Sequence, residues 1–139
     1  METSPVQSIV IVDDEKAFTD MIGRLLEDHF TAPVHAFLRP ADALRDFPSL
    51  RAGIVVTDYY MPVMNGLDLI RAVYSISPDT PSILITGHTF NLEEHPRDGL
   101  KNLRAVLAKP FHWRQLAALI ERHWHGDRPP GLRSSPASP

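Results

Sequence analysis

With 139 residues, a formal charge of −3 and no cysteine, the chain has the length of one domain with one core. So small a charge gives no reason to expect nucleic-acid or membrane-surface binding, and without cysteine there is no disulfide, thiolate chemistry or cysteine-ligated zinc. No apolar run approaches the roughly 18 residues of a membrane span, and the polar start METSPVQ lacks the apolar centre of a secretory signal, so a cytoplasmic protein without a membrane partner is expected.

After an N-terminal extension (1–7), β-branched runs alternate with stretches of helical period. SIVIV (8–12) leads into a stretch in which Phe18, Met21, Ile22, Leu25, Leu26 and His29 share one face at i, i+3, i+4, i+7 spacing. PVHAF (33–37) precedes a short helix from Pro40 to Phe47, with proline suited to its first turn. GIVVT (53–57) is followed by Asn65-Gly66, which opens a helix with Leu67, Ile70, Val73 and Tyr74 inward. SILIT (82–86) comes next, and then a stretch broken by Pro96 and Gly99, where only an irregular fourth helix is expected. RAVLA (104–108) and a last helix striped with Trp113, Leu116, Ala117, Ile120 and Trp124 complete a unit spanning 8–125. The remainder, 126–139, contains four prolines and reads as a disordered tail or linker.

Five such runs alternating with helices predict an α/β fold, a single doubly wound five-stranded parallel sheet. The nearly continuous apolar runs GIVVT and SILIT suit strands covered on both faces. The expected strand order is the flavodoxin-like 2-1-3-4-5.

Ligands of open α/β sheets bind at the carboxyl ends of the strands. Asp13, Asp14 and Glu15 follow the first run, Asp58 the third, Thr86 ends the fourth, and Lys109-Pro110 follow the fifth. In order 2-1-3-4-5, strands 1 and 3 are neighbours, which gathers Asp13, Asp14 and Asp58 with Thr86 and Lys109 beside them. Any one of these residues alone is ordinary: an Asp-Asp pair caps helices, and Lys-Pro is a common loop. Their joint placement is the signal. Three carboxylates repel unless a cation neutralises them, and an all-oxygen site suits Mg²⁺ or Mn²⁺. With a lysine and a hydroxyl, the set fits a site that places a phosphoryl group on a carboxylate.

The motifs IVDDE (11–15), TDYYMPVMNG (57–66), ILITGH (83–88) and AKPF (108–111) resemble the receiver domain of two-component response regulators, in order and in spacing, over roughly residues 8 to 125. The resemblance implies that Asp58 accepts a phosphoryl group from a phosphohistidine on a sensor histidine kinase or a phosphotransfer protein, in a bacterial cytoplasmic setting. It implies Mg²⁺ held by Asp13, Asp14, Asp58 and the Tyr60 backbone carbonyl, with Thr86 as the switch hydroxyl and Lys109 binding the phosphoryl group. It also implies a cis bond before Pro110, an unknown downstream protein or output domain, no direct nucleic-acid contact, and a homodimer surface around strand 5 and its flanking helices.

Certain positions depart from the common pattern. Val106 stands where many receivers carry a Tyr or Phe whose rotamer follows the threonine, so output is expected from the loop after Thr86, with His88 or Phe90. Tyr60 and His88 are expected to flank the phosphoryl group. Two alternatives stay open: a non-catalytic adaptor of the same fold, and, more remotely, a haloacid-dehalogenase-type phosphatase, whose nucleophile follows strand 1 in a DxD motif rather than strand 3. His123 and His125, two apart at a helix end, read as a solvated face.

Overall fold

The structure is a computed structural model, and it describes residues 6–87, 99–126 and 130–132. Five strands, β1 (Ser8–Val12), β2 (Val34–Phe37), β3 (Ala52–Asp58), β4 (Ser82–Thr86) and β5 (Leu103–Ala108), form one sheet of order β2-β1-β3-β4-β5, parallel throughout. Four helices are described: α1 (Lys16–His29), α2 (Pro40–Leu50), α3 (Gly66–Ile76) and α4 (Trp113–His123). The chain runs outward from β1 to β2 and returns to the other side of β1 for β3, so β1 and β3 flank the switch point. The stretch expected to hold an irregular helix lies largely outside the described residues, as do His88 and Phe90.

Strand side chains alternate between the two faces, and each face is covered by helices. Ile9, Ile11, Ile54, Val56, Ile83 and Ile85 pack against Ile22 and Leu26 of α1 and Leu116, Ala117 and Ile120 of α4. Val10, Val12 and Val55 pack instead against Ala43, Phe47 and Leu50 of α2 and Leu69 and Val73 of α3. This two-sided burial is why the central runs contain so little polar alternation.

The structure modifies several sequence expectations. Met21 is 54% exposed, because the buried stripe of α1 is centred on Thr19, Ile22, Gly23 and Leu26. Helix α2 runs past Pro48 to Leu50 and closes on Arg51 in the left-handed region at φ 53°. Strand β3 includes Asp58 itself, whereas the run had been expected to stop at Thr57. Within the stretch read as a tail, residues 130–132 pack back on the end of α1. Thr31 donates from its N–H to Gly131 O at 2.9 Å and from its hydroxyl to Pro130 O at 3.0 Å, and Phe30 bridges Leu132.

Candidate functional site

Register places the acids. Val12 pairs with Thr57 across β1 and β3, so Asp13 and Asp58 stand on the next rung at the switch point. Asp13 N–H donates to Phe37 O at 3.1 Å, and Tyr59 N–H to Ile85 O at 2.8 Å, which ties both strand ends to their outer neighbours. Turning the chain away after Asp58 needs Gly66. Its N–H donates to Tyr59 O at 2.8 Å, and a Cβ there would stand 2.5 Å from Asp58 O and 2.7 Å from Leu84 Cδ1. Asn65 caps α3 by accepting from Asp68 N–H at 2.9 Å.

Carboxylate oxygens of Asp13, Asp14 and Asp58 all lie within 4.8 Å of one another. Asp13 is 2% exposed and Asp58 8%, while Asp14 faces solvent. One Asp13 oxygen accepts from Glu15 N–H at 2.9 Å; Glu15 is itself the N-cap of α1 and no side chain caps that helix, so the helix-cap reading of the Asp pair does not hold. The other, Oδ2, is buried without a hydrogen-bond partner among the described residues. A charged oxygen in that position is costly unless a cation reaches it.

The ammonium of Lys109 approaches these acids: 3.5 Å to Asp58 Oδ1, 3.7 Å to Asp13 Oδ2 and 3.8 Å to Glu15 Oε1. The backbone brings it there, since Thr86 pairs with Ala108 and Lys109 N–H donates to Thr86 O at 2.7 Å. The Lys109–Pro110 peptide bond is cis. A single ammonium does not balance four carboxylates. Burial pushes Asp13 up from the ordinary carboxylate range to about 6, with the Asp58 and Asp14 charges adding to it and the Glu15 amide and Lys109 opposing it. Asp58 is also raised, chiefly by burial and further by Asp14, against the pull of Lys109 and the Tyr60 amide.

A divalent cation would offset this imbalance. Oxygens on an octahedral ion with bonds near 2 Å lie roughly 3 to 4 Å apart, so carboxylates already within 4.8 Å need only a small closure. The donor set is all oxygen, as hard cations require.

Of the other residues singled out, Thr86 is buried at the end of β4. Tyr60 is 55% exposed, with its ring edge-on to Tyr59 at 4.7 Å, and Val106 stands on the outward face of β5 opposite Leu84. Sequence reading left two participants without a role. Glu15, the third acid of the run, pairs with Lys109, and Phe18 lies under the Lys109 ammonium at 4.5 Å from the ring centroid. Phe18 is half-buried one helical turn beyond Asp14, a spacing that could have tied it to the site; its place in the apolar stripe pointed to the core.

A response regulator receiver domain family model matches residues 9–121. Among curated proteins, the chain is 36% identical over 83 residues to the transcriptional regulatory protein FixJ of Rhizobium meliloti, covering 58% of this chain and 39% of that one. It is 28% identical over 117 residues to the response regulator receiver protein CpdR of Brucella abortus, covering 84% of this chain and 96% of that one. It spans only 18% of the C4-dicarboxylate transport transcriptional regulatory protein DctD of Rhizobium meliloti, to which it is 37% identical over 86 residues, 61% of this chain. A response regulator receiver domain protein from Clostridium thermocellum superposes with a TM-score of 0.74 at 27% identity, over 85% of this chain and 94% of that one. Vibrio cholerae chemotaxis protein CheY4 shares the fold, with a TM-score of 0.75 at 24% identity, over 86% of this chain and 99% of that one.

Proposed function

Because the chain belongs to the response regulator receiver domain family, we propose that it is a phosphoryl-accepting switch with Asp58 as the acceptor. The observation that carries this reading is the buried Asp13–Asp58 pair with Lys109 3.5 Å from Asp58 Oδ1. Such a site holds a carboxylate nucleophile and a compact cation that can follow an incoming phosphoryl oxygen. An Asp58 oxygen attacks phosphorus, the phosphorus–nitrogen bond of a phosphohistidine breaks, and the imidazole leaves with a proton. The donor is a sensor histidine kinase or a phosphotransfer protein.

The residues fit Mg²⁺, or Mn²⁺, held by Asp13, Asp14, Asp58 and the Tyr60 backbone carbonyl; Asp13 Oδ2, buried without a hydrogen bond and with the Lys109 ammonium no nearer than 3.7 Å, is the strongest sign of it. When bound, the ion supplies charge neutralisation for the incoming phosphoryl group. Asp13 and Asp14 hold the ion, and Lys109 takes a phosphoryl oxygen. Thr86, at the adjoining strand end, donates its hydroxyl to another and so couples the acyl phosphate to the loop after β4. With Val106 at the position where many receivers have an aromatic, that loop carries the change to a downstream protein or output domain. Tyr60, half exposed beside Asp58, shields the acyl phosphate from water, and Tyr60→Asn is expected to hydrolyse it faster than wild type.

Incubation with acetyl phosphate and Mg²⁺, read by intact mass, tests the acceptor. A single phosphoryl adduct is expected on wild type and none on Asp58→Ala. Wild type without an adduct, or an adduct that survives Asp58→Ala, would remove the proposal.

A further inference from the structure

Lys109 meets its carboxylates at 3.5, 3.7 and 3.8 Å. A charge-assisted N–H···O bond is usually about 2.7–2.9 Å, so the ammonium reaches Asp58 only through a long bond and stands off Asp13 and Glu15. On its remaining side lies the Phe18 ring, with the ammonium 4.5 Å from the centroid, within the range of a cation–π contact. That ring is itself fixed. It rises from the first turn of α1 and meets Phe111, two residues beyond Lys109, edge to face at 6.2 Å and 83°. The two aromatics and the lysine thus form one unit joining the start of α1 to the loop after β5.

We propose that Phe18 is a positioning residue: its ring face holds the Lys109 ammonium at the centre of the acidic pocket and keeps it from collapsing onto Asp58 or Asp13. The proposal rests on the reading of Asp58 as phosphoryl acceptor and explains how one lysine leaves the carboxylates available. A lysine closed onto Asp58 Oδ1 would blunt the nucleophile, and one closed onto Asp13 Oδ2 would compete with a cation for that oxygen. Centred on the ring, it leaves both oxygens accessible and stays within reach of a phosphoryl oxygen on Asp58. An aliphatic side chain of similar volume would fill the space without this attraction.

The test compares Phe18→Leu, which removes the π-face, with Phe18→Tyr, which retains it. Mg²⁺ affinity is followed by titration of tryptophan fluorescence. The Lys109 ε-methylene proton shifts are read by NMR, where a ring face moves them upfield. Phe18→Leu is expected to weaken Mg²⁺ binding about fivefold, the size of a partly desolvated cation–π contact, and to lose the upfield shift. Phosphorylation by acetyl phosphate at subsaturating Mg²⁺ should slow by a similar factor, and Phe18→Tyr should behave as wild type in all three. Should Phe18→Leu fail to fold, Phe18→Met removes the π-face while keeping side-chain length and takes its place. Unchanged Mg²⁺ affinity in the π-less variant overturns the proposal, and so does an equal loss in Phe18→Tyr, which would mark Phe18 as packing alone. Wild type that binds Mg²⁺ but takes no phosphoryl group defeats the acceptor reading, while the affinity comparison still decides the role of Phe18. Wild type that binds no Mg²⁺ overturns both.

Discussion

The two ends of the sheet treat their polar groups differently. At the amino end, buried polar side chains are used by the chain itself. Ser8 donates its hydroxyl to Leu50 O at 2.6 Å, and the Asn102 amide donates to Ile70 O at 3.2 Å. Trp124 packs on Gly53 while His125 N–H donates to Gly53 O at 3.0 Å. The atoms left over there, Ser82 Oγ and Asn102 Oδ1, are neutral. At the carboxyl end the atom without a hydrogen bond among the described residues is Asp13 Oδ2, 3.7 Å from the Lys109 ammonium and on a carboxyl group beside two more carboxylates. An unsatisfied neutral group costs roughly 1–3 kcal/mol, and a charged one more. One end is therefore closed by the chain's own contacts, and the other keeps a cluster of carboxylates that could hold a metal ion.

The largest effect that sharpens this contrast is the pH dependence of the metal-free protein. Below pH 3.8 Asp13 is protonated in both folded and unfolded chains and contributes nothing. As pH rises toward about 6, the unfolded chain releases its proton first, so the native state binds more protons and stability falls. The loss attributable to Asp13 approaches about 3 kcal/mol once pH passes the folded value. Urea denaturation across this range should show the decline in wild type and a flatter profile in Asp13→Asn. Mg²⁺ at a hundred times its Kd should restore about 2.7 kcal/mol in wild type at neutral pH. A wild-type profile as flat as that of Asp13→Asn would mean that Lys109 and the Glu15 amide fully offset the burial of this carboxyl, and the two ends would no longer differ.

Next in size come two glycines, one at each end. A Cβ at Gly66 meets backbone, Asp58 O at 2.5 Å, and the Leu84 side chain at 2.7 Å. A Cβ at Gly53 meets the Trp124 ring at 2.6 Å. Overpacking of this kind costs about 1–3 kcal/mol. Gly66→Ala belongs at the top of that range, because it presses on β3, a central strand. Gly53→Ala belongs lower, because Trp124 lies past the end of α4 and can shift. Thermal melts should rank them so. Only Gly66→Ala should also weaken Mg²⁺ binding, since only it displaces Asp58; equal effects on the metal would show the ends to be mechanically coupled.

The same division explains what the sequence made legible. Strand periodicity and carboxylates at strand ends are local features, so the sheet, its order and the gathering of Asp13, Asp14 and Asp58 followed from topology. Contacts between distant segments were not visible. Gly53 gave no sign that Trp124 would lie on it, and Pro130 to Leu132 carry no periodicity announcing their return to Phe30 and Thr31. Phe18 was hidden for another reason. A half-buried aromatic at core spacing looks the same whether it faces leucine or an ammonium, and only the fold brings Lys109 over it. Pro48 shows a local rule yielding. It sits near the end of α2, where packing of Phe47 and Leu50 carries the helix through its last turn.

The smallest effect concerns the loop that leaves Asp58. Val63 has φ 73°, a left-handed conformation that a β-branched residue adopts only at a cost, and its side chain is fully exposed. Among the described residues, no burial of the Val63 side chain offsets that cost. The conformation is imposed by its surroundings, with Met64 N–H donating to Pro62 O at 2.8 Å just before Asn65 caps α3. Asparagine tolerates the left-handed region far better than valine and loses no burial here, so Val63→Asn should stabilise the protein by about 1 kcal/mol. Chemical denaturation at fixed pH measures it. A gain in stability with unchanged phosphorylation would mean that the strain is incidental to the loop. A gain accompanied by slower phosphorylation would mean that Val63 keeps the loop poised beside Asp58, placing it with the acids at the carboxyl end among the features kept at the expense of stability.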